Sequence, residues 1–184
     1  MLCLATRYSN SIMVPMLETP RLCMRPRTAA DVDDCVAMDS DIEVRRLITP
    51  EFRDNFDVTR YRNSLRERVA VDPGQGLGWW TLRSRTNDKM FLGMALLIPL
   101  ALEGPEIEIG WRLPRSAWGN GYAAEAASRI VQYARDQIGL KEIIACINPE
   151  NLRSIRIASK LGFLLGGRKK AYGTEFDCYR LRMD

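Results

Sequence analysis

The sequence predicts an α/β domain of the α+β kind: a twisted, mixed, mostly antiparallel sheet of about six to seven strands flanked by about four helices. Three observations lead there. Short runs of alternating apolar and polar residues, bounded by Gly and Pro, recur on both sides of one long helical pattern. A strand pattern (Ile107, Ile109, Trp111, Leu113) passes through Pro114 and the turn Gly119-Asn120-Gly121 into that helix, which runs to about Gly139. A chain of 184 residues, 46% hydrophobic and 27% charged, is enough for one domain with a sizeable core.

Residues 1–16 read as a flexible N-terminal extension to a single domain of residues 17–184. They hold one arginine, a polar Ser9-Asn10-Ser11 patch and no continuous apolar stretch, so they make a poor signal peptide, and Met16 is an alternative start. Leu22 to Pro26 alternates faces as a short strand. Thr28 is placed to cap the helix that follows it. Asp39 to Asn55 is polar and broken by Pro50, which predicts loop and short turns. Asp57 caps a second helix, with Val58, Tyr61, Leu65 and Val69 at helical spacing and Arg60, Arg62, Arg66 and Arg68 on its other face. Pro73 to Gly76 is a turn, and 78–85 and 90–100 form a hairpin across 86–89. Gly104-Pro105 turns into the strand at 106–113. After the long helix come a β-branched strand at 142–147, a short helix at 151–161, and strands at 163–170 and 175–183 joined through Tyr172-Gly173.

The glycine turn between strand and helix carries the chemistry. Glycines let the backbone approach a ligand, and the first N–H groups of a helix are unpaired at its positive end, so a pyrophosphate fits there. A Walker loop is excluded, because Tyr122-Ala123 stands where Lys and Ser or Thr are required. A dinucleotide fingerprint is matched only loosely, with Ala124 at the third position, and the unit lies late in the chain after a mostly β segment.

Composition removes other classes. Histidine is absent, which rules out a His-based triad, a His general base and a His metal ligand. The five cysteines (Cys3, Cys23, Cys35, Cys146, Cys178) are scattered without a Cys-x-x-Cys pair. They predict reduced thiols in a cytoplasmic protein, with no metal site and no disulfide framework. No apolar run approaches the ~20 residues that span a membrane. The net charge of +4 suits an anionic ligand without demanding nucleic acid. The arginine face at Arg60–Arg68 lacks interleaved aromatic residues to stack bases, so it reads as a solvated face.

The element order β-α-α-β-β-β-α-β-α-β-β, with the glycine turn after the fourth strand, resembles the GNAT superfamily of acyl-CoA-dependent N-acetyltransferases over about residues 17 to 183. Three passages carry the resemblance. Leu17-Glu-Thr-Pro-Arg-Leu-Cys-Met-Arg25 resembles the opening of the Rim-type branch, the ribosomal-protein N-terminal acetyltransferases. Glu106-Ile-Glu-Ile-Gly-Trp111 through Trp118-Gly-Asn-Gly-Tyr-Ala-Ala-Glu-Ala126 resembles the cofactor motif. Asn148 to Phe163 resembles the second motif, Asn-x-x-Ser followed by Lys-Leu-Gly-Phe. The resemblance implies a GNAT fold with splayed strands 4 and 5, and acetyl-CoA as acyl donor.

It also implies roles. Trp118, Gly119, Asn120, Gly121, Tyr122 and Ala123 would hold the CoA pyrophosphate through backbone N–H groups, with Arg115 adding charge or lying plainly on the surface. The strand at Ile109 and Trp111 would contact the donor and polarise its carbonyl through an N–H. Asn151 would meet the pantetheine arm, cap the short helix, or do both. Ser154 heads an apolar stripe with Ile157, Ala158 and Leu161. Ala158 stands where many members carry a tyrosine acid, and Rim-type members carry a serine at the Ser154 position for the same task. Ser154 would hydrogen-bond both cofactor and departing thiolate, or else bond a backbone carbonyl. Ser116 departs from the Arg or Gln common three residues before the first glycine. Glu108 matches the strand glutamate that serves as general base through water, with Glu106 or water alone as alternatives. A solvated face with a Glu108–Arg112 pair is the competing reading. Cys146 would serve a ping-pong route only if activated, and with no histidine available a packed core thiol is favoured.

The reading is direct acetyl transfer from acetyl-CoA to a primary amine, without metal, by a monomer or homodimer. The Rim-type resemblance suggests a protein or peptide N-terminal amine. Polyamines, amino acids and aminoglycosides stay open, as do a non-catalytic acyl-CoA sensor and a basic nucleic-acid-binding module. The acceptor groove is expected beside the Asp39–Asn55 loop and Trp79 or Trp80, with Asp39, Asp41, Glu43 and Glu51 attracting a cationic amine and Arg45 and Arg46 offsetting them.

Overall fold

A computed structural model describes residues 13–183. Among these, eight strands form one sheet in the order β1-β2-β3-β4-β5-β6-β8-β7. They are β1 (Leu17–Glu18), β2 (Leu22–Pro26), β3 (Gly78–Ser84), β4 (Phe91–Pro99), β5 (Ile107–Arg112), β6 (Glu142–Ile147), β7 (Leu164–Ala171) and β8 (Thr174–Arg182). Every pairing is antiparallel except β5 with β6. That parallel pair meets at one register position, Glu108 opposite Ile144, so the sheet is splayed in its middle. The sequence reading gives one strand fewer because β1 has two residues, too short to show a period.

Six α-helices flank the sheet rather than about four: α1 (Val32–Ser40), α2 (Ile42–Arg45), α3 (Pro50–Asp54), α4 (Val58–Val69), α5 (Tyr122–Tyr133) and α6 (Leu152–Lys160). The two extra ones, α2 and α3, lie in the polar stretch expected to be loop. Side-chain oxygens start both: Asp41 accepts from the Glu43 N–H and Thr49 from the Phe52 N–H. Local caps outweigh weak apolar periodicity in one-turn helices. Asp57 caps α4 as expected, accepting the Arg60 N–H at 2.7 Å. Thr28 opens a single 3-10 turn before α1.

The alternation Trp79-Trp80 shows how β3 divides the interior. Trp80 is fully buried among Met24, Leu82, Leu97, Ile109 and the inner face of α5 (Ala126, Ala127, Ile130, Tyr133). Trp79 points the other way, to Met38, Val44, Met94 and Ile98. β3 is buried on both faces, with Trp80 and Leu82 on one and Trp79, Thr81 and Arg83 on the other. The Trp80 Nε1–H donates to the Pro15 carbonyl at 2.8 Å, and Val14 packs on the core, so the last residues of the 1–16 segment lie against the sheet. Residues 1–12 of that segment, with Cys3, lie outside the described residues.

One buried ion pair ties the helical layer to β5. Asp39 of α1 is fully buried and accepts from Arg112 Nη1 at 2.8 Å and from the Tyr61 hydroxyl of α4 at 2.5 Å. Removing one member of such a pair strands a charge. Asp39→Ala is expected to destabilise the fold by about 3 kcal/mol, read as a lower urea midpoint at unchanged slope. A cost under about 1 kcal/mol would mean the pair is solvated.

Candidate active site

The glycine turn is built as an anion cradle. Gly119 and Gly121 have φ of 77° and 79°, in the left-handed region open to glycine. The Glu125 N–H closes the first turn of α5 on the Gly121 carbonyl at 3.0 Å, while among the described residues none of the N–H groups from Gly119 to Ala124 has an acceptor. Six consecutive unpaired donors at a helix N-terminus are what an anion-binding turn offers.

Cationic side chains surround it. Arg21 donates through Nη1 to the Asn120 carbonyl at 2.9 Å, pairs with Glu125, and lies over the Tyr122 ring. Arg153 lies 4.5 Å from the centre of the Trp118 ring. Trp118 is fixed by its Nε1–H to the Leu113 carbonyl (2.8 Å), and its own carbonyl accepts the Asn120 amide. Arg115 is exposed and lies 3.8 Å from Asp41. Arg21 and Arg153 lie within the motifs quoted above, but no local pattern marks either as a neighbour of the turn. Arg21 is 99 residues from the Asn120 carbonyl it holds.

Where β5 and β6 diverge opens a cavity of about 540 Å³, whose lining takes in none of residues 118–123. That is within the range of small-molecule sites. Glu108, Ser154, Asn151, Cys146 and the β5 segment Ile109–Arg112 all line it. Two residues proposed for the chemistry and three for donor contact therefore share one space. The Ile109 side chain is buried in the core on the other side of the strand, which leaves its backbone to face a ligand. Asn151 caps α6, its Oδ1 accepting the Ser154 N–H at 3.1 Å. The Ser154 hydroxyl makes no hydrogen bond among the described residues, so the bond to a backbone carbonyl is not formed.

Glu108 is 7% exposed. Burial pushes its carboxyl up to about 7, against the Tyr172 hydroxyl and the Cys146 backbone amide, which favour the charged form. The Tyr172 hydroxyl donates to Glu108 Oε2 at 2.5 Å and accepts the Ala101 N–H at 3.2 Å. The anticipated Glu108–Arg112 pair is absent because Arg112 is engaged by Asp39. Glu106 is held by Lys169 and lies 3.6 Å from Arg180, and the Lys169 hydrogen bond keeps its carboxyl below the usual range, so it stays a charged ion-pair partner. Burial, and then the nearby Glu108 charge, push the Cys146 thiol up to about 12, which opposes a thiolate nucleophile. Tyr172 gives no sequence signal, since it sits in the β7–β8 turn 64 residues from Glu108.

The cavity wall where the acceptor groove is expected is formed by Val44, Leu47, Ile48 and Phe52 from the α1–α3 segment, with Trp79 of β3. Trp80 faces the opposite core. The acids expected there are spent elsewhere. Asp39 is used by Arg112, Asp41 caps α2, Glu43 pairs with Arg46, and Glu51 accepts from Asn55. Glu108 is the acid that lines the cavity, among the described residues. Among these residues no group of three or more Cys, Asp or Glu is placed to hold a metal, and no helix is long and apolar enough to cross a membrane. Cys23, Cys35, Cys146 and Cys178 are free thiols.

Both the sequence and the fold have known relatives. A profile of the acetyltransferase (GNAT) domain matches residues 21–164. The uncharacterized N-acetyltransferase YoaA of Bacillus subtilis is 31% identical over 171 residues, covering 90% of this chain and 94% of the relative. The uncharacterized N-acetyltransferase p20 of Bacillus licheniformis is 29% identical, covering 89% and 92%. Among solved structures, a GNAT-family acetyltransferase from Bacillus anthracis superposes with a TM-score of 0.73 at 23% identity, covering 90% and 96%. RimL, the ribosomal L7/L12 α-N-protein acetyltransferase in complex with coenzyme A, superposes at 0.71 with 14% identity, covering 94% and 98%. The chain belongs to the GNAT acetyltransferase family and is an acyltransferase.

Proposed function

We propose that the protein transfers an acetyl group directly from acetyl-CoA to a primary amine. The observation that carries this is the presence in one fold of two features: six unpaired N–H groups at the glycine turn that follows β5, and the buried Glu108 carboxyl of β5 lining a cavity with Ser154 and Asn151. The pyrophosphate rests on the turn from Trp118 to Ala123, with positive charge from Arg153, which has no acid partner among the described residues, and from Arg21 and Arg115, whose charges are shared with Glu125 and Asp41. The pantetheine arm runs past the Asn151 amide and the open edge of β5 at Ile109 and Trp111, which brings the thioester beside Glu108 and Ser154. Glu108, ionised, removes a proton from the acceptor ammonium directly or through water. The free amine adds to the thioester carbonyl, polarised by a β5 N–H; as the C–S bond breaks, the thiolate leaves against the Ser154 hydroxyl and takes up the second proton the nitrogen loses, giving a neutral amide and CoA thiol. A thiol of pKa near ~8.5 leaves more readily when a donor meets it. Tyr172 positions the Glu108 carboxylate. The Rim-type opening and the likeness to RimL support an α-amine as acceptor.

Ser154→Ala is expected to lower kcat by roughly 10- to 100-fold with acetyl-CoA affinity within about twofold of the parent. Full activity would remove Ser154 from the mechanism. Cys146→Ala is expected to keep turnover within about threefold, because its raised pKa leaves almost no thiolate at neutral pH. The direct test is mass spectrometry of a reaction with acetyl-CoA and an amine panel. Amide-linked acetyl on the amine, with no acetyl on the enzyme after quenching, is the expected result. An acetyl-enzyme adduct lost in Cys146→Ala would establish a ping-pong route instead.

A further inference from the structure

Arg27 follows β2 level with Trp79 and lines the same wall of the cavity. Its backbone N–H donates to the Trp79 carbonyl at 2.9 Å, and its guanidinium lies 5.0 Å from the centre of the Trp79 ring. The residue is 9% exposed, and its Nε and Nη2 atoms are buried without a hydrogen-bond partner. No carboxylate among the described residues pairs with it, and the charged neighbours that act on it include two further arginines, Arg68 and Arg112. Arg68 lines the same cavity, also without an ion pair among the described residues. The cavity wall thus carries three arginines and one acid, Glu108, with Arg112 alone neutralised by Asp39 from behind.

An unpaired buried charge is costly, and stacking on one indole offsets only a small part of its desolvation. A guanidinium kept in such a place calls for a counter-ion from a ligand, and its planar donor fork fits a carboxylate. Trp79, Leu96 and Gly110 lie side by side across β3, β4 and β5, so Arg27 stands about 14 Å of backbone from the reacting strand. Its long arm, turned over Trp79, shortens that gap.

We propose that Arg27 binds a carboxylate on the acceptor, so that the acceptor is a small amino-acid-like molecule bearing both the reacting amine and its own carboxylate. This rests on the acetyl-transfer reading above and narrows its substrate class. The arginine-rich wall repels polyamines and aminoglycosides, whose several positive charges have one carboxylate to meet.

The test is a CoA-release assay at fixed acetyl-CoA with the free amino acids, the C-terminal amide of each, a tetrapeptide amide, spermidine and kanamycin. At least one amino acid is expected to exceed its own amide by 30-fold or more in kcat/KM, mainly through KM. Arg27→Gln is expected to bring that acid-to-amide ratio close to one. Should Arg27→Gln fail to fold, the wild-type ratio decides alone. Spermidine, kanamycin or the tetrapeptide amide as the best acceptor would overturn this inference while leaving acetyl transfer intact, as would a wild-type ratio near one or a ratio unmoved in a folded Arg27→Gln. Acetylation of no amine would bring down the proposed function and this inference with it.

Discussion

Gly121→Val is expected to weaken acetyl-CoA binding by at least about 100-fold, which is roughly 2.7 kcal/mol of binding free energy. Gly121 holds φ at 79°, where an L-residue costs about 1–2 kcal/mol and a β-branched one is an outlier. Steric overlap is the smaller effect: an added Cβ meets Arg21 Nη2 at 3.4 Å, the mobile end of a long side chain. The loss comes from the backbone. To relieve its φ, the loop must re-aim the unpaired N–H groups of Gly119–Ala124. Gly119→Ala makes a useful companion, since its Cβ would meet nothing within 4 Å while φ is 77°. It should show the strain with little added bulk, and so a smaller loss of affinity. Titration calorimetry on both variants, at a temperature where circular dichroism shows them folded, checks this. Parent affinity in Gly121→Val would sink the loop assignment.

Glu108→Gln is expected to separate activity from stability in opposite directions. Activity should fall by roughly 10²- to 10⁴-fold, the usual worth of a positioned general base. Stability should rise above neutral pH. Burial pushes the native carboxyl up to about 7 from the ordinary 4.5, so the folded state binds the proton more tightly than the unfolded chain. Stability therefore falls as pH rises from about 4.5 to about 7 and stays at the lower level above that. Glutamine keeps an acceptor for the Tyr172 hydroxyl and never ionises. At pH 8 the variant should gain roughly 2–3 kcal/mol, seen as a Tm higher by about 5 °C or more, and the gain should shrink to under about 1 kcal/mol at pH 5 and vanish below about pH 4.5. Wild-type kcat/KM should rise with pH up to about 7 and then level. Unchanged activity in the variant would remove Glu108 as base. A Tm gain equal at pH 5 and pH 8 would show that its carboxyl is not held protonated by burial.

The local features were the legible ones. The β5 alternation, the Gly119–Gly121 turn and the α5 period lie within about thirty consecutive residues, and each follows from a backbone rule that acts on neighbours. The same holds for Asp57 as a cap and for Asn151 as the cap of α6. Two families of feature were hidden. Short elements escaped: β1 spans two residues and α2 four, and neither length completes a period that a pattern can reveal. Long-range partnerships escaped as well. Tyr172 meets Glu108 across 64 residues, Arg112 meets Asp39 across 73, and Arg21 meets Glu125 across 104. Nothing in the spacing of an arginine tells whether it will find an acid, and so the acids of the 39–55 segment read as an attraction for a cationic amine. Once folded, they are used by caps and ion pairs, and the cavity is left with the charge of its arginines.

The central claim is that the glycine turn binds the CoA pyrophosphate. Its most direct measurement is the thermal midpoint of the purified protein with acetyl-CoA, CoA, NAD and ATP side by side, each at about a hundred times a micromolar Kd, where a true ligand adds roughly 2.7 kcal/mol. A rise of several degrees is expected with acetyl-CoA and CoA alone, abolished in Gly121→Val. A rise with NAD or ATP and none with either CoA species would contradict it.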